Sequence, residues 1–244
     1  MVTCDILGDV YRKKGSPETA ESWFRKSFEA GKQLLRGTNS TEVRFDVTTS
    51  CYKIGLVNRD LKRTGGQLEW FGSALKLLTI LLKNKRTYET VNLLAHTLRC
   101  LGDANRDEDR KEEALRFYLR CVEAREELAE MTGETADRNG LFLTSDHVAV
   151  NLAKMGFADE ARAVLEKSLA RTEETAAATS SVADRDNLMV CCFRLGSLSS
   201  VPEEQRGQYL RRFTLLAQTL LAETGSDRYR DLLESQGDGS PALF

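Results

Sequence analysis

Apolar residues recur at helical spacing in two stripes over the first 37 residues, with a short polar break between them. The stripes consist of Ile6, Leu7, Val10 and Tyr11, and then of Ala20, Trp23, Phe24, Ser27, Phe28, Gly31, Leu34 and Leu35. In the break, Gly15 suits a helix C-terminus, Ser16 an N-cap and Pro17 a first helical turn. The pattern therefore predicts a helix, a tight turn and a second helix.

The same pattern returns every 47 residues along the chain. A Leu-Gly pair or its equivalent stands at Leu7-Gly8, Ile54-Gly55, Leu101-Gly102, Val148-Ala149 and Leu195-Gly196. Small residues allow helix backbones to approach closely, so we expect Gly55 and Gly102 where the first helix of a hairpin touches the neighbouring second helix. Leucine in place of Gly102 should overpack that contact, whereas alanine should be far milder or even stabilising, since alanine favours helix.

The repeat predicts an all-α chain of five helical hairpins and a short last helix. The predicted bounds are 1–37, 41–84, 87–132, 136–178 and 184–224 for the hairpins and 227–234 for the last helix, all within one domain of residues 1–234. We expect Gly65-Gly66 and Gly156 in the turns of the second and fourth hairpins, and Pro202 in the first turn of the tenth helix. Residues 235–244 are glycine-rich and are predicted to form a flexible tail.

Several positions of the first hairpin resemble the tetratricopeptide repeat (TPR) family. They are Leu7, Gly8, Tyr11, Gly15, Ala20, Phe24 and Ser27, at the spacing of that family's signature. The resemblance extends over about residues 1–224, in a long-repeat variety, since the family's usual period is about 34 residues. It implies a right-handed α-solenoid whose first helices line a concave groove that binds proteins or peptides without catalysis. The alternative is a domain that senses a ligand or signalling peptide, as in bacterial TPR regulators.

Composition narrows the functional classes. The chain has 35 basic and 37 acidic residues, which argues against non-specific nucleic-acid binding. Its apolar stretches are far shorter than a membrane helix and no leader pattern is visible, so we predict a cytoplasmic protein without membrane contact. The two histidines and six cysteines lack metal-ligand spacing, and no phosphate loop or Ser-His-Asp arrangement occurs. We therefore predict no metal site, no cofactor and no enzymatic activity.

Three arginines share one position, four residues after the repeat glycine, and the TPR resemblance places them on the inner face. The candidate ligand-binding residues are this arginine row and its neighbours: Arg12, Arg59, Arg106, Asp9, Asp103, Tyr52, Arg99 and Lys154. Arginine binds carboxylate or phosphate with a fork of N–H donors, so the row favours an acidic protein or peptide as partner. The alternative is that each arginine pairs with a neighbouring aspartate and holds adjacent hairpins together. Both interpretations remain open.

The first helix offers one more expectation. Only three residues precede Cys4. In the middle hairpins, the first helix is predicted to begin about ten residues before the position equivalent to Cys4. The opening helix is therefore short and lacks a polar capping helix, which solenoid ends normally need. We expect self-association through this edge or a longer natural chain.

Overall fold

The computed structural model describes residues 1–38 and 40–237 of the protein, which form eleven α-helices and no strand. The helices are α1 (Val2–Lys13), α2 (Pro17–Gly37), α3 (Thr41–Asp60), α4 (Thr64–Asn84), α5 (Tyr88–Asp107), α6 (Lys111–Thr132), α7 (Thr135–Met155), α8 (Ala158–Thr179), α9 (Val182–Ser197), α10 (Glu203–Thr224) and α11 (Asp227–Gly237). The prediction of an all-α fold is confirmed. None of these helices combines the length and the apolar character that a bilayer span requires.

The helices of all five hairpins begin and end close to their predicted bounds. The last helix continues to Gly237, three residues beyond its predicted end, and the rest of the predicted tail lies outside the described residues. The chain divides into two compact units, Met1–Leu141 and Phe142–Phe244, and the division falls within α7. A single domain over residues 1–234 stays a prediction.

The first unit is built of three hairpins, in which each helix packs against the next one along the chain. Its core continues from hairpin to hairpin through buried side chains. One cluster joins Ala20 and Phe24 of α2 to Ile54 and Val57 of α3. Further along, α4, α5 and α6 share a cluster that includes Leu78, Val91, Leu94, Ala95, Leu98, Cys121, Ala124 and Leu128. The apolar stripes of the sequence therefore face one another, as the repeat requires.

The repeat glycines of the first unit lie, as predicted, where a first helix meets a neighbouring second helix, and each faces an aromatic ring of its own hairpin. The pairs are Gly8 with Phe24, Gly55 with Phe71, and Gly102 with Tyr118. A Cβ atom at Gly102 would lie 2.6 Å from two carbons of the Tyr118 ring. The expectation that alanine stabilises this position is contradicted, because the ring of the second helix already occupies the space.

Two turns differ from their predictions. Gly65 and Gly66 lie inside the first turn of α4, and the chain turns earlier, at residues 61–63, where Lys62 has a positive φ of 55°. Gly66 instead allows the start of α4 to lie close to Asn58, because a Cβ atom at this position would lie 2.2 Å from the side-chain oxygen of Asn58. Gly156 stands in its predicted turn with φ 97°, whereas Pro202 is the N-cap of α10 and precedes its first turn.

The opening helix α1 is 12 residues long, compared with 20 for α3 and for α5. Val2, Ile6 and Val10 recur at intervals of four and expose 69%, 57% and 39% of their surface. One apolar strip of α1 is therefore open to solvent in this structure. Self-association through this edge stays a prediction.

The second unit, described from Phe142 to Gly237, repeats the same packing. Helix α9 packs against α8 and α10, and α10 packs against α11. Its largest fully buried side chains are Leu152, Met189, Leu195 and Phe213. Ser181 caps α9 by accepting a hydrogen bond from the backbone N–H of Asp184.

Candidate functional site

Helices α1, α3 and α5 of the first unit carry seven of the eight predicted site residues, and we name the surface they form the A-helix face. Contacts between these helices show that they lie side by side. The Nζ atom of Lys53 lies 2.8 Å from Oδ2 of Asp9, which joins α3 to α1. The rings of Tyr52 and His96, on α3 and α5, have centroids 6.4 Å apart. The eighth residue, Lys154, is exposed on α7 in the second unit.

Arg12 stands at one end of the arginine row and is paired across hairpins. Its Nε and Nη2 atoms donate to the two carboxylate oxygens of Asp60 at 2.5 and 3.1 Å. The hydrogen bond to Asp60 raises the pKa of Arg12 above its ordinary value. Two parallel N–H···O bonds fix both orientation and charge. At this position the geometry supports the pairing interpretation.

Arg106 at the other end is also paired. Its Nη2 donates to Oδ1 of Asp107 at 2.7 Å, and its Nη1 lies 3.7 Å from Oδ1 of Asp103. The same oxygen of Asp103 accepts a hydrogen bond of 2.7 Å from the hydroxyl of the buried Tyr118. Burial and the nearby Asp103 raise the pKa of Tyr118 above its ordinary value, so it remains a neutral donor. Asp103 is thereby held in place on α5.

Arg59, in the middle of the row, pairs with no carboxylate of the described residues. Its Nη1 lies 3.9 Å from Sγ of Cys100, a neighbour on α5. Burial is the main cause that raises the pKa of the Cys100 thiol, so the sulfur carries no charge at neutral pH. The carboxylate of Asp60 next to it is bound by Arg12. The half-buried guanidinium of Arg59 is therefore the one member of the row without a balancing charge.

Arg99 is only weakly neutralised. Its Nη1 lies 3.5 Å from Oδ2 of Asp103, at the limit of a hydrogen bond, and 31% of its side chain is exposed. Arg106 approaches the other oxygen of the same carboxylate. Two guanidinium groups thus share one aspartate, and the Asp103 charge is divided between them.

A third guanidinium, that of Arg125 on α6, lies close to this centre. Its Nη2 is 3.0 Å from Nε2 of His96, and its Nη1 donates to Oδ1 of Asn92 at 3.1 Å. Its Nε atom is buried without a hydrogen-bond partner among the described residues. Burial first, and then the charges of Arg125 and Arg99, lower the pKa of His96 to about 4. The imidazole is therefore neutral at pH 7 and accepts a hydrogen bond from Arg125.

Tyr52 adds a neutral hydroxyl to the same surface. Burial raises the pKa of Tyr52 to about 12, and the charges of Arg99 and Arg59 act in the opposite direction. Its ring also lies against Phe71, with centroids 5.7 Å apart. The centre of the A-helix face therefore combines three guanidinium groups and a tyrosine hydroxyl with one shared carboxylate.

Sequence reasoning did not identify Arg125 or its partner His96. A signal was nevertheless available in the repeat. The positions equivalent to Arg125, at multiples of 47 residues, are Gly31, Leu78, Thr172 and Thr219; the first three are buried and the fourth is exposed. A charged residue at a position that is elsewhere uncharged marks a local departure from the repeat.

Among the described residues, no three or more His, Cys, Asp or Glu side chains come together in a way that could hold a metal ion. The six cysteines are free, and five of them are buried.

Comparison with known proteins agrees with this architecture. A family model described as tetratricopeptide repeat matches residues 3–30, most of the first hairpin. No curated protein matches the chain by sequence. Two crystal structures of a kinesin light chain-type protein from Podosopora anserina, built of nearly identical TPR-like repeats, are similar in fold. A single-substitution form has a TM-score of 0.61 at 14% identity, covering 91% of this chain and 95% of that chain. The other has a TM-score of 0.59 at 14% identity, covering 89% and 95%.

At 14% identity these structures establish the fold alone, while the family match rests on the residues of the first hairpin. The predicted resemblance is confirmed: the chain is a helical-repeat protein with the TPR-like fold, and its first hairpin matches the tetratricopeptide repeat.

Proposed function

We propose that the protein is an interaction scaffold that binds an acidic segment of a partner protein on the A-helix face. The observation that carries this proposal is the excess of positive charge at the centre of the face. Arg59 and Arg125 have no carboxylate partner among the described residues, and Arg99 shares Asp103 with Arg106. A partner carboxylate would supply the missing negative charge.

The physical basis is the strength of charge-assisted hydrogen bonds at a partly dehydrated surface. A guanidinium group presents several donors in a fixed fork, and a carboxylate accepts two of them at once. Arg59 and Arg99 are half-buried, so their charges are screened less than those of fully exposed side chains. The neutral Tyr52 hydroxyl beside them can donate to the same ligand.

The proposal gives different roles to members of one row. Arg12 is bound to Asp60 of the next hairpin, and we assign it to holding the first two hairpins together, whereas Arg106 is neutralised by Asp107 on its own helix. Arg59 and Arg99 are assigned to the ligand. Catalysis is not part of the proposed function. We place it in the cytoplasm, a reducing compartment in which free cysteines persist.

The test compares two variants of the same surface. The probe is a fluorescent ten-residue peptide of alternating glutamate and serine, and its reference replaces each glutamate with glutamine. We expect the double variant Arg59→Ala with Arg99→Ala to bind the acidic peptide at least tenfold more weakly, with little change in stability. Arg12→Ala is the matched control within the row: it should lower stability by about 1 kcal/mol through loss of a bidentate pair and keep most of the binding.

Salt provides an independent check. Binding of the acidic peptide should weaken steadily from 50 to 500 mM sodium chloride, because ions screen the guanidinium charges over about 10 Å at 0.1 M. Equal binding of the glutamate and glutamine peptides would contradict the proposal. So would unchanged binding in the Arg59 and Arg99 double variant.

A further inference from the structure

A groove lies between α4 and α6, which both pack on α5, and we name it the B-helix groove. Two cavities of about 430 and 420 Å³ occupy it, and Thr79 of α4 lines both of them. At its base lie Leu94, Leu98, Leu101 and Asn105 of α5, which are all buried. Its apolar walls are half-buried and consist of Leu68, Leu75 and Leu82 of α4 and Phe117 of α6. The accessible apolar surface of the groove therefore belongs to its walls.

The preceding pair of second helices, α2 and α4, is covered by side chains that this groove lacks. There, Phe28 and Trp70 stack edge to face with centroids 5.1 Å apart. Arg25 lies over the Trp70 ring at 5.1 Å, and Lys32 lies over the Phe28 ring at 4.9 Å. All these side chains belong to α2 and α4 of the first two hairpins.

One repeat later, the equivalents of the two covering cations have short side chains. Gly72 stands 47 residues after Arg25, and Thr79 stands 47 residues after Lys32. A Cβ atom built at Gly72 meets nothing within 4 Å. The two long side chains that lie over the rings of the α2–α4 pair therefore have no counterpart of similar length in the B-helix groove.

The rim of the groove is positively charged. Lys76 and Lys83 of α4 and Arg120 of α6 line it, and none of the three pairs with a carboxylate of the described residues. Arg86 and Glu127 also line it but neutralise each other through a bidentate pair. Glu123 is the remaining acidic residue of the rim. Three cations thus stand against one unpaired carboxylate, which favours an acidic partner.

The dimensions fit a short helix. The α4 wall extends from Leu68 to Lys83, which is about 22 Å at the helical rise of 1.5 Å per residue. Three turns of a partner helix would cover about 16 Å of this length. An amphipathic helix binds such grooves by laying its apolar face against their apolar side chains.

We propose that the B-helix groove binds an amphipathic helix of a partner protein, with its apolar face against the walls of α4 and α6 and acidic side chains along its flanks. This surface involves none of the residues of the A-helix face and its charge balance is set by different side chains. The two proposals therefore stand or fall separately.

The test uses fluorescence anisotropy with a designed 15-residue helical peptide. Leucine occupies positions 1, 4, 5, 8, 11, 12 and 15, and glutamate occupies the others; a reference peptide carries lysine in place of every glutamate. Gly72→Arg restores the side chain that covers the first pair of helices. Gly65→Arg is the matched control, because it adds the same charge to the same helix at a glycine that is also open, but outside the groove.

The parent in this test is the Arg59→Ala, Arg99→Ala double variant, because the A-helix face is itself proposed to bind acidic segments. We expect this parent to bind the glutamate peptide at least tenfold more tightly than the lysine peptide. Gly72→Arg should weaken that binding at least tenfold, although it adds a positive charge, while Gly65→Arg should leave it unchanged. Lys83→Glu, an exposed charge reversal, should weaken it without filling the groove. Absence of binding by the parent, preference for lysine, or unchanged binding by Gly72→Arg would each overturn the proposal.

Discussion

Replacing Gly102 with alanine should destabilise the protein, although alanine is the better helix former. The added methyl group would lie 2.6 Å from Cδ1 and from Cε1 of the Tyr118 ring, much closer than van der Waals contact. The ring cannot easily retreat, because it is fully buried and its hydroxyl is bonded to Asp103 at 2.7 Å. Either the ring or the backbone of α5 must therefore move.

Two opposing effects set the magnitude. Alanine gains about 1 kcal/mol over glycine in a helix interior. Overpacking a close-packed contact costs about 1–3 kcal/mol, and the anchored Tyr118 places this contact near the upper end. We therefore expect Gly102→Ala to lower the free energy of unfolding by about 1–2 kcal/mol. For a chain of this length that corresponds to a decrease in the thermal midpoint of about 3–6 °C.

Gly72→Ala is the matched control, since Gly72 also lies inside a helix but a Cβ there meets nothing within 4 Å. It should raise the free energy of unfolding by about 0.5–1 kcal/mol through helix propensity alone. Urea unfolding followed by circular dichroism measures both variants. If Gly102→Ala stabilises the protein as much as Gly72→Ala does, the close contact between Gly102 and Tyr118 is refuted.

Three further predictions concern charged and polar contacts. The pKa of His96 is about 4 in the folded state and 6.5 ordinarily, so the folded protein binds fewer protons and loses stability as the pH falls from about 6.5 to 4; His96→Gln should show a shallower decline in urea titrations across that range. Tyr118→Phe should lower the free energy of unfolding by about 1 kcal/mol through loss of the bond to Asp103. Arg194→Met should cost about 1–3 kcal/mol in the same assay, because it leaves the half-buried Asp146 without its bidentate partner.

The hairpins were predictable because packing repeats along the chain. In each of the first three hairpins a glycine of the first helix faces an aromatic ring sixteen positions later, as in Gly55 with Phe71. The spacing alone did not show that the two residues contact each other. It is compatible with contact inside the hairpin or with the next one, and only the direction of the Phe71 ring decides between them.

The turns were less predictable, because in two of them the residue with a positive φ angle is not glycine. Lys62 and Asp109 adopt positive φ angles of 55° and 56°, a region that glycine favours and that other residues enter at a cost. A search for glycine therefore placed the second turn at Gly65-Gly66. The actual use of Gly66 depends on the position of Asn58, which no local pattern reveals.

The roles within the arginine row depended on competition between neighbours. Arg12 binds Asp60, which lies 48 residues later, and in the second unit Arg194 binds Asp146, which lies 48 residues earlier. If each arginine of the row bound the aspartate 48 residues later, Arg59 would bind Asp107. Instead, Arg106 binds that carboxylate. The outcome is a matter of which guanidinium is closer, and sequence spacing does not contain that distance.

Both proposed surfaces lie where one hairpin departs from the repeat. Arg125 replaces the buried Leu78 and Gly31 of the preceding hairpins, and burying a guanidinium without a carboxylate is costly. Gly72 replaces Arg25, and a glycine inside a helix costs about 1 kcal/mol relative to alanine. Each creates a feature that we propose a partner uses, a guanidinium without a carboxylate in one case and a groove with half-buried apolar walls in the other.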